Sequence, residues 1–199
     1  GARWFQQHWL SRGGAIEVAY YSPGERDFTP LLQAPLALNI SAARKRDLQR
    51  LTGLALDSRP RRRQDIDLVI LLAGPEQARQ IRPALDFNFA GDLPVFSTSH
   101  IYSADSRHTR DLSGIEFPAS LWQLQPSTQN SPDSSLDSTL RQQLQALGAD
   151  ALSATIRRAQ LGDTSAPLYA RSGLLFASKA SYIRKGRWHK ITDNGVREI

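Results

Sequence analysis

A handful of residues in this chain are of the types that carry chemistry. Ser97, Ser99, His100 and Asp105 offer a hydroxyl, an imidazole and a carboxylate, the parts of a nucleophilic triad. No Gly-x-Ser-x-Gly elbow surrounds any serine, so nothing in the sequence presents a serine as a nucleophile. The four histidines, His8, His100, His108 and His189, lack the spacing of metal ligands, and no paired carboxylates accompany them. Asp65 and Asp67 stand two apart before an apolar run, as flanking charges at a strand mouth do. Gly13-Gly14 and Gly74 form neither a dinucleotide fingerprint nor a phosphate loop. The chain has no Cys, which excludes disulfides, thiol nucleophiles and thiolate-bound metal. No catalytic residue, no metal site and no cofactor is therefore expected.

The residues left over are polar groups at strand ends, and their positions depend on the elements around them. The central stretch is Arg61 to Tyr102. It opens on Arg61, Arg62 and Arg63, passes Asp65 and Asp67, and enters a wholly apolar run, Leu68 to Ala73. Such a run without alternation fits a parallel strand buried on both faces. Gly74-Pro75 ends it, and Pro75 with Glu76 suits the first turn of a helix. Ala78, Ile81, Leu85 and Phe89 then form one apolar stripe at helical spacing. Pro83 lies inside that pattern and predicts a kink or split near Arg82. Gly91-Asp92 is read as the stop, and Pro94 to Thr98 as the next strand. Strand–helix–strand units of this kind are right-handed and parallel.

Upstream, Ala2 to Leu10 reads as a helix whose Trp4, Phe5, His8 and Trp9 share one face, with the two tryptophans as core or interface anchors. Gly13-Gly14 stops it. Ala15 to Tyr21 reads as a strand. Helix then strand is the second half of a βαβ unit, so a first strand is expected before Gly1. Thr29 to Leu38, with Pro30 and Pro35, is a short or broken helix. Ser41 is read as the N-cap of a helix over Ala42 to Leu56, with leucines on one side and Arg and Lys on the other. Downstream come a polar stretch (Ser103 to Ser113), an apolar run with Trp122 (Ile115 to Leu124), a linker (Gln125 to Asp133) and a long helix (Asp137 to Ala159) with Gly148 as a possible break. Strands follow at Gly173 to Ala177, Ser181 to Ile183 and Trp188 to Ile191, with Asn194-Gly195 as a hairpin turn. The pattern is α/β: helices flanking a parallel sheet.

The net charge is +6, carried by 21 Arg and 4 Lys. Only Arg59 to Arg63 is dense, and aspartates flank it. Nucleic-acid binders concentrate charge and interleave aromatics, so no nucleic-acid partner is expected. No run is apolar enough to span a bilayer. In open α/β sheets ligands lie beyond the carboxyl ends of strands. That makes Gly74, Pro75, Ser97, Thr98, Ser99, His100 and Tyr102 the cleft candidates, with an amino acid, peptide or sugar as the possible small ligand of a solute-binding or sensing domain.

The same stretch resembles the LppC family of penicillin-binding-protein activator lipoproteins. The resemblance rests on the run Arg61 to Asp67, on Pro75 to Arg79, Pro83 to Phe87 and Ala90 to Val95, and on Thr98 to Tyr102. Weaker similarity lies in Phe5 to Gly14, Gly114 to Phe117 and Ala146 to Ala151. It implies a fold like a type I periplasmic binding protein: one lobe mostly complete, from 1–102 plus 168–199, and 103–167 as the returning part of an incomplete one. It also implies a non-enzymatic role on the periplasmic face of the outer membrane. There the protein binds a class A penicillin-binding protein and stimulates peptidoglycan synthesis, reaching the membrane only through a lipid anchor outside this chain. Arg61, Arg62, Arg63 and Trp122 are the partner-surface candidates. An incomplete lobe would leave apolar surface around Ile115 to Leu124 and along the Leu140 helix.

Overall fold

The computed structural model describes residues 2–22, 24–55, 57, 59, 61–102, 109–124, 138–161, 166–178 and 181–199. Asp105, His108 and the linker 125–133 lie outside the described residues. The chain divides into two compact units, Gly1–Val95 and Phe96–Ile199.

In the first unit, α1 (Ala2–Ser11) ends at Gly13, whose φ of +82° is the left-handed stop that glycine supplies. Its aromatic face forms by stacking within the helix, Trp4 on His8 and Phe5 on Trp9. None of its side chains is buried, so the tryptophans are not core anchors. The Trp9 indole donates to the Ala15 carbonyl at 3.1 Å and closes over Gly14. The residues from Ala15 to Tyr21 form no strand, contrary to expectation. Side chains hold this segment instead: the Tyr21 hydroxyl donates to the Leu72 carbonyl, and its ring meets Phe28 edge-on.

The short helix α2 (Thr29–Gln33) carries a proline in its first turn, as its sequence predicts. The next helix, α3 (Leu38–Thr52), starts before Ser41. Its N-cap residue is Ala37, in the left-handed region at φ +54°, and Ser41 sits inside the helix, where its Oγ accepts from the Arg61 N–H. The apolar run yields a short strand, β1 (Val69–Leu71), and Val69 N–H donates to the Pro94 carbonyl.

After β1, α4 (Pro75–Phe87) is one helix through Pro83. Its stripe works as read: Ala78, Ile81 and Leu85 are buried. Burial of an Ile or Leu side chain contributes about 1.5–3 kcal/mol. The helix stops earlier than Gly91. Phe89 adopts φ +60°, its N–H donates to Asp86 O, and Ala90 N–H donates to Leu85 O. These two bonds are a Schellman stop with phenylalanine at the position glycine prefers. Phe89 therefore leaves the buried stripe and is 49% exposed.

The strand β2 (Val95–Ser97) is where the chain passes from the first unit to the second. In the second unit β3 (Ile115–Ala119) alternates strictly, with Ile115, Phe117 and Ala119 buried. Of the apolar surface expected around Ile115 to Leu124, the strand half is therefore overturned, while Leu121 is exposed. A short helix, α5 (Leu121–Leu124), follows. The helix α6 (Ser138–Leu161) continues past Gly148, and its Leu140, Leu144, Leu147, Leu152 and Ile156 are exposed, as foreseen for the Leu140 helix.

The C-terminal strands are β4 (Leu168–Ala170), β5 (Gly173–Ser178), β6 (Ser181–Lys185), β7 (Arg187–Thr192) and β8 (Gly195–Glu198). The order β4–β5–β6 makes one antiparallel sheet. Antiparallel β7 lies between β3 and β8, with Phe117 opposite His189 and Ile191 opposite Val196. The chain is α/β in class, and these ladders of the second unit are antiparallel. Gly195, at φ +132°, closes the β7–β8 hairpin that Asn194-Gly195 signals. Among the described residues no helix is long and apolar enough to cross a membrane.

Candidate functional site

The strand-end residues fall into both units. Gly74 is the extended N-cap of α4 and Pro75 its first residue. Ser97 is buried at the end of β2, Thr98 leads into a 3-10 turn over Ser99–Ile101, and His100 is exposed on it. Tyr102 stacks on Phe117 with ring centroids 5.5 Å apart. Partial burial pushes its phenol pKa up, because the phenolate would lose hydration there. Tyr102 is therefore a packing residue of β3, with its ring turned onto the core.

The three arginines divide sharply in role. The Arg62 side chain is 9% exposed and serves three acceptors. Its Nε donates to the Phe89 carbonyl at 2.9 Å, one terminal nitrogen to the Arg63 carbonyl at 3.1 Å, and the other to Asp92 at 2.6 Å. Arg63 grips Asp65 through two bonds of 2.6 Å each and also reaches Glu17. Its N–H donates to the Leu36 carbonyl. The fork on Asp65 holds that carboxyl at a pKa of about 2, below its ordinary range, and raises the already high arginine pKa. Arg62 and Arg63 thus fasten the loop to the turn after α4, the link between α2 and α3, and the segment after α1. Arg61 alone turns an exposed side chain outward. Trp122 is half-buried in the second unit, where its backbone N–H donates to the Arg171 carbonyl at 3.4 Å.

The loop and α3 enclose a groove of about 930 Å³ in the first unit. Arg44 and Lys45 on α3 face it together with Arg59, Arg61, Arg62 and Arg63. Ile40, Leu48 and Phe89 supply its apolar surface, and Asp57 and Asp92 its carboxylates. Arg44, Lys45 and Phe89 were not singled out from the sequence as site residues. The basic face of α3 was visible in the helical pattern, but the placing of Arg59 and Arg61 to Arg63 beside it was not. Neither this groove nor the second cavity is lined by Gly74, Pro75 or Ser97 to Tyr102.

The second cavity, of about 410 Å³, lies between α6 and the β4–β5–β6 sheet. Asp150, only 5% exposed, lies in its wall. It accepts the N–H groups of Arg171 at 2.8 Å and Ser172 at 2.7 Å, and so pins the β4–β5 turn to α6. Both carboxylate oxygens are used by the fold. Among the described residues no group of His, Asp and Glu could hold a metal ion.

Comparison with known proteins agrees with the sequence resemblance. Residues 2–174 match the family model described as "LppC putative lipoprotein". The chain is 32% identical over 114 residues to the penicillin-binding protein activator LpoA of Vibrio cholerae serotype O1, with the same match in several strains. That match covers 52% of this chain and 18% of the relative, so the chain spans about a fifth of that protein. Among solved structures, the LpoA (YraM) C-domain of Haemophilus influenzae, a regulator of PBP1A, aligns at 14% identity with a TM-score of 0.49. The alignment covers 97% of this chain and 64% of that one. These relatives are named as an activator and a regulator rather than as enzymes. With a family model matched across most of its length, this chain belongs to the LppC family.

Proposed function

We propose that this chain is an interaction domain that binds a class A penicillin-binding protein and stimulates its synthesis of peptidoglycan. The observation that carries the reading is the 32% identity over 114 residues to a protein named for activating a penicillin-binding protein. The physical picture supports it. The buried Asp150 is spent on the fold, no serine elbow exists in the sequence, and the groove beside α3 is a charged, open surface feature rather than an enclosed reaction chamber. On this reading the domain is non-enzymatic. It works on the periplasmic face of the outer membrane, held there by a lipid anchor carried elsewhere in the protein.

The test is direct. The purified chain, immobilised, should retain a class A penicillin-binding protein, and its addition should raise the rate of glycan polymerisation or cross-linking by that synthase. Neither retention nor a rate change, for any class A synthase of the same cell, overturns the reading.

A further inference from the structure

The groove between α3 and the arginine loop combines three features that do not occur together elsewhere among the described residues. The first is an excess of cations: six basic side chains line it against two carboxylates. Three of the six are engaged: Arg62 and Arg63 by Asp92, Asp65 and Glu17, and Lys45 in an interaction of its own. Arg44, Arg59 and Arg61 are exposed around it. The second is exposed apolar surface of large side chains: Ile40 is 58% exposed, Leu48 45% and Phe89 49%. The third is backbone strain. Among the described residues two non-glycines have positive φ, Ala37 at +54° and Phe89 at +60°, and both line this groove. A left-handed L-residue is strained, and at Phe89 glycine would avoid that strain. Retaining a strained phenylalanine sets its ring into the groove, where Arg62 holds the Phe89 carbonyl. Strain kept at a position where a glycine would serve better marks use of the side chain.

We infer that this groove receives an acidic polypeptide segment bearing an apolar side chain, contributed by the synthase partner. The inference rests on the function proposed above and assigns it a surface. Charge complementarity selects an acidic partner. Asp57 and Asp92 within the lining disfavour a densely charged polyanion such as a nucleic acid or a phosphate-rich glycolipid. The exposed Ile40, Leu48 and Phe89 require an apolar counterpart, which such polyanions do not offer. An alternation of acidic and apolar side chains meets both demands, with Phe89 as the aromatic anchor and the arginines as the charged rim.

Two variants test it. Arg44→Glu with Arg61→Glu reverses the rim without touching Arg62 or Arg63. Phe89→Gly removes the anchor and relieves the strained backbone. The probe is a fluorescently labelled peptide alternating Glu with Leu and Phe, read by anisotropy, with polyglutamate, polyphosphate and anionic phosphatidylglycerol vesicles alongside. The wild-type chain should bind the alternating peptide, and more weakly as salt rises. The double reversal should lose about tenfold or more in affinity. Phe89→Gly should weaken binding several-fold while its melting temperature stays equal or rises, so lost binding is not lost folding. Equal binding by wild type and both variants overturns the inference. So does binding of polyglutamate, polyphosphate or vesicles as tight as that of the alternating peptide. The same three proteins are then assayed against the synthase. If the wild type binds no synthase, the proposed function fails, whatever the peptide does. If the wild type binds it and both variants bind equally well, the function stands and the groove assignment falls.

Discussion

Asp65 and Asp150 are each held by two nitrogen donors at nearly the same distances, yet they do different work. Asp65 is exposed and takes both its bonds from one arginine, two residues away. Asp150 is buried and takes its bonds from two backbone N–H groups more than twenty residues further along the chain. Water competes for every bond of the first and for almost none of the second. An exposed ion pair contributes little to stability, because solvent screens it. A buried charge-assisted bond is worth about 1.5–3 kcal/mol, and leaving its donors unpaired costs more than making it gains. The carboxylate with the more conspicuous partner is therefore the less consequential one for the fold.

That contrast can be broken at graded points. Asp150→Ala should cost the most, about 3 kcal/mol, because two N–H groups of the β4–β5 turn lose their acceptor in a water-poor site. The urea midpoint of the chain reads it, and a shift as small as that of a surface substitution would refute the pinning role. Arg62→Ala comes next, at about 1–2 kcal/mol, since its three acceptors include two backbone carbonyls and its side chain is nearly buried. Asp92→Ala should cost less than Arg62→Ala, because Asp92 is largely exposed. The smallest effect is at Asp65. Its folded pKa of about 2 lies below the ordinary value of about 3.9, so its contribution is present above pH ~4 and is lost as the pH falls towards 2. Arg63→Gln should return the Asp65 carboxyl towards its ordinary value in an NMR titration. No movement would mean that the fork does not hold it.

Local periodicity carried much of the fold. The stripe of α4, the alternation of β3 and the Asn194-Gly195 turn all obey rules that act within a few residues, and these were legible. Ala15 to Tyr21 failed as a strand because β-rich composition is only suitability for a sheet, and among the described residues no ladder partner takes it up. Ser41 failed as a cap because the helix begins earlier, at Leu38, behind a strained N-cap Ala37 that no cap rule favours. The end of α4 was misplaced for a related reason: the available glycine, Gly91, is not the residue that turns left-handed. The site was less legible than the fold. The arginine run was visible, but its division into two fastened side chains and one outward one depends on Glu17, Asp92 and the Phe89 carbonyl, far off in sequence. Asp150 gave one signal that passed unused: a carboxylate amid the alanines and leucines of a helix that must bury one side.

The ladder between β3 and β7 also has a temporal meaning. Glu116 and Lys190, joined across it at 3.1 Å, are separated by 74 positions. Bringing such distant segments together costs about 4 kcal/mol in chain entropy before the first pair forms. The β7–β8 hairpin needs no such closure and can assemble in microseconds. A chain made or exported from its N-terminus thus has Ile115 and Phe117 ready long before their cover arrives. Until the last strands emerge, β3 lacks β7 as its partner and is a ready template for pairing with the wrong chain. The final strands act as the latch that ends this exposure, and losing them would show first as aggregation during synthesis.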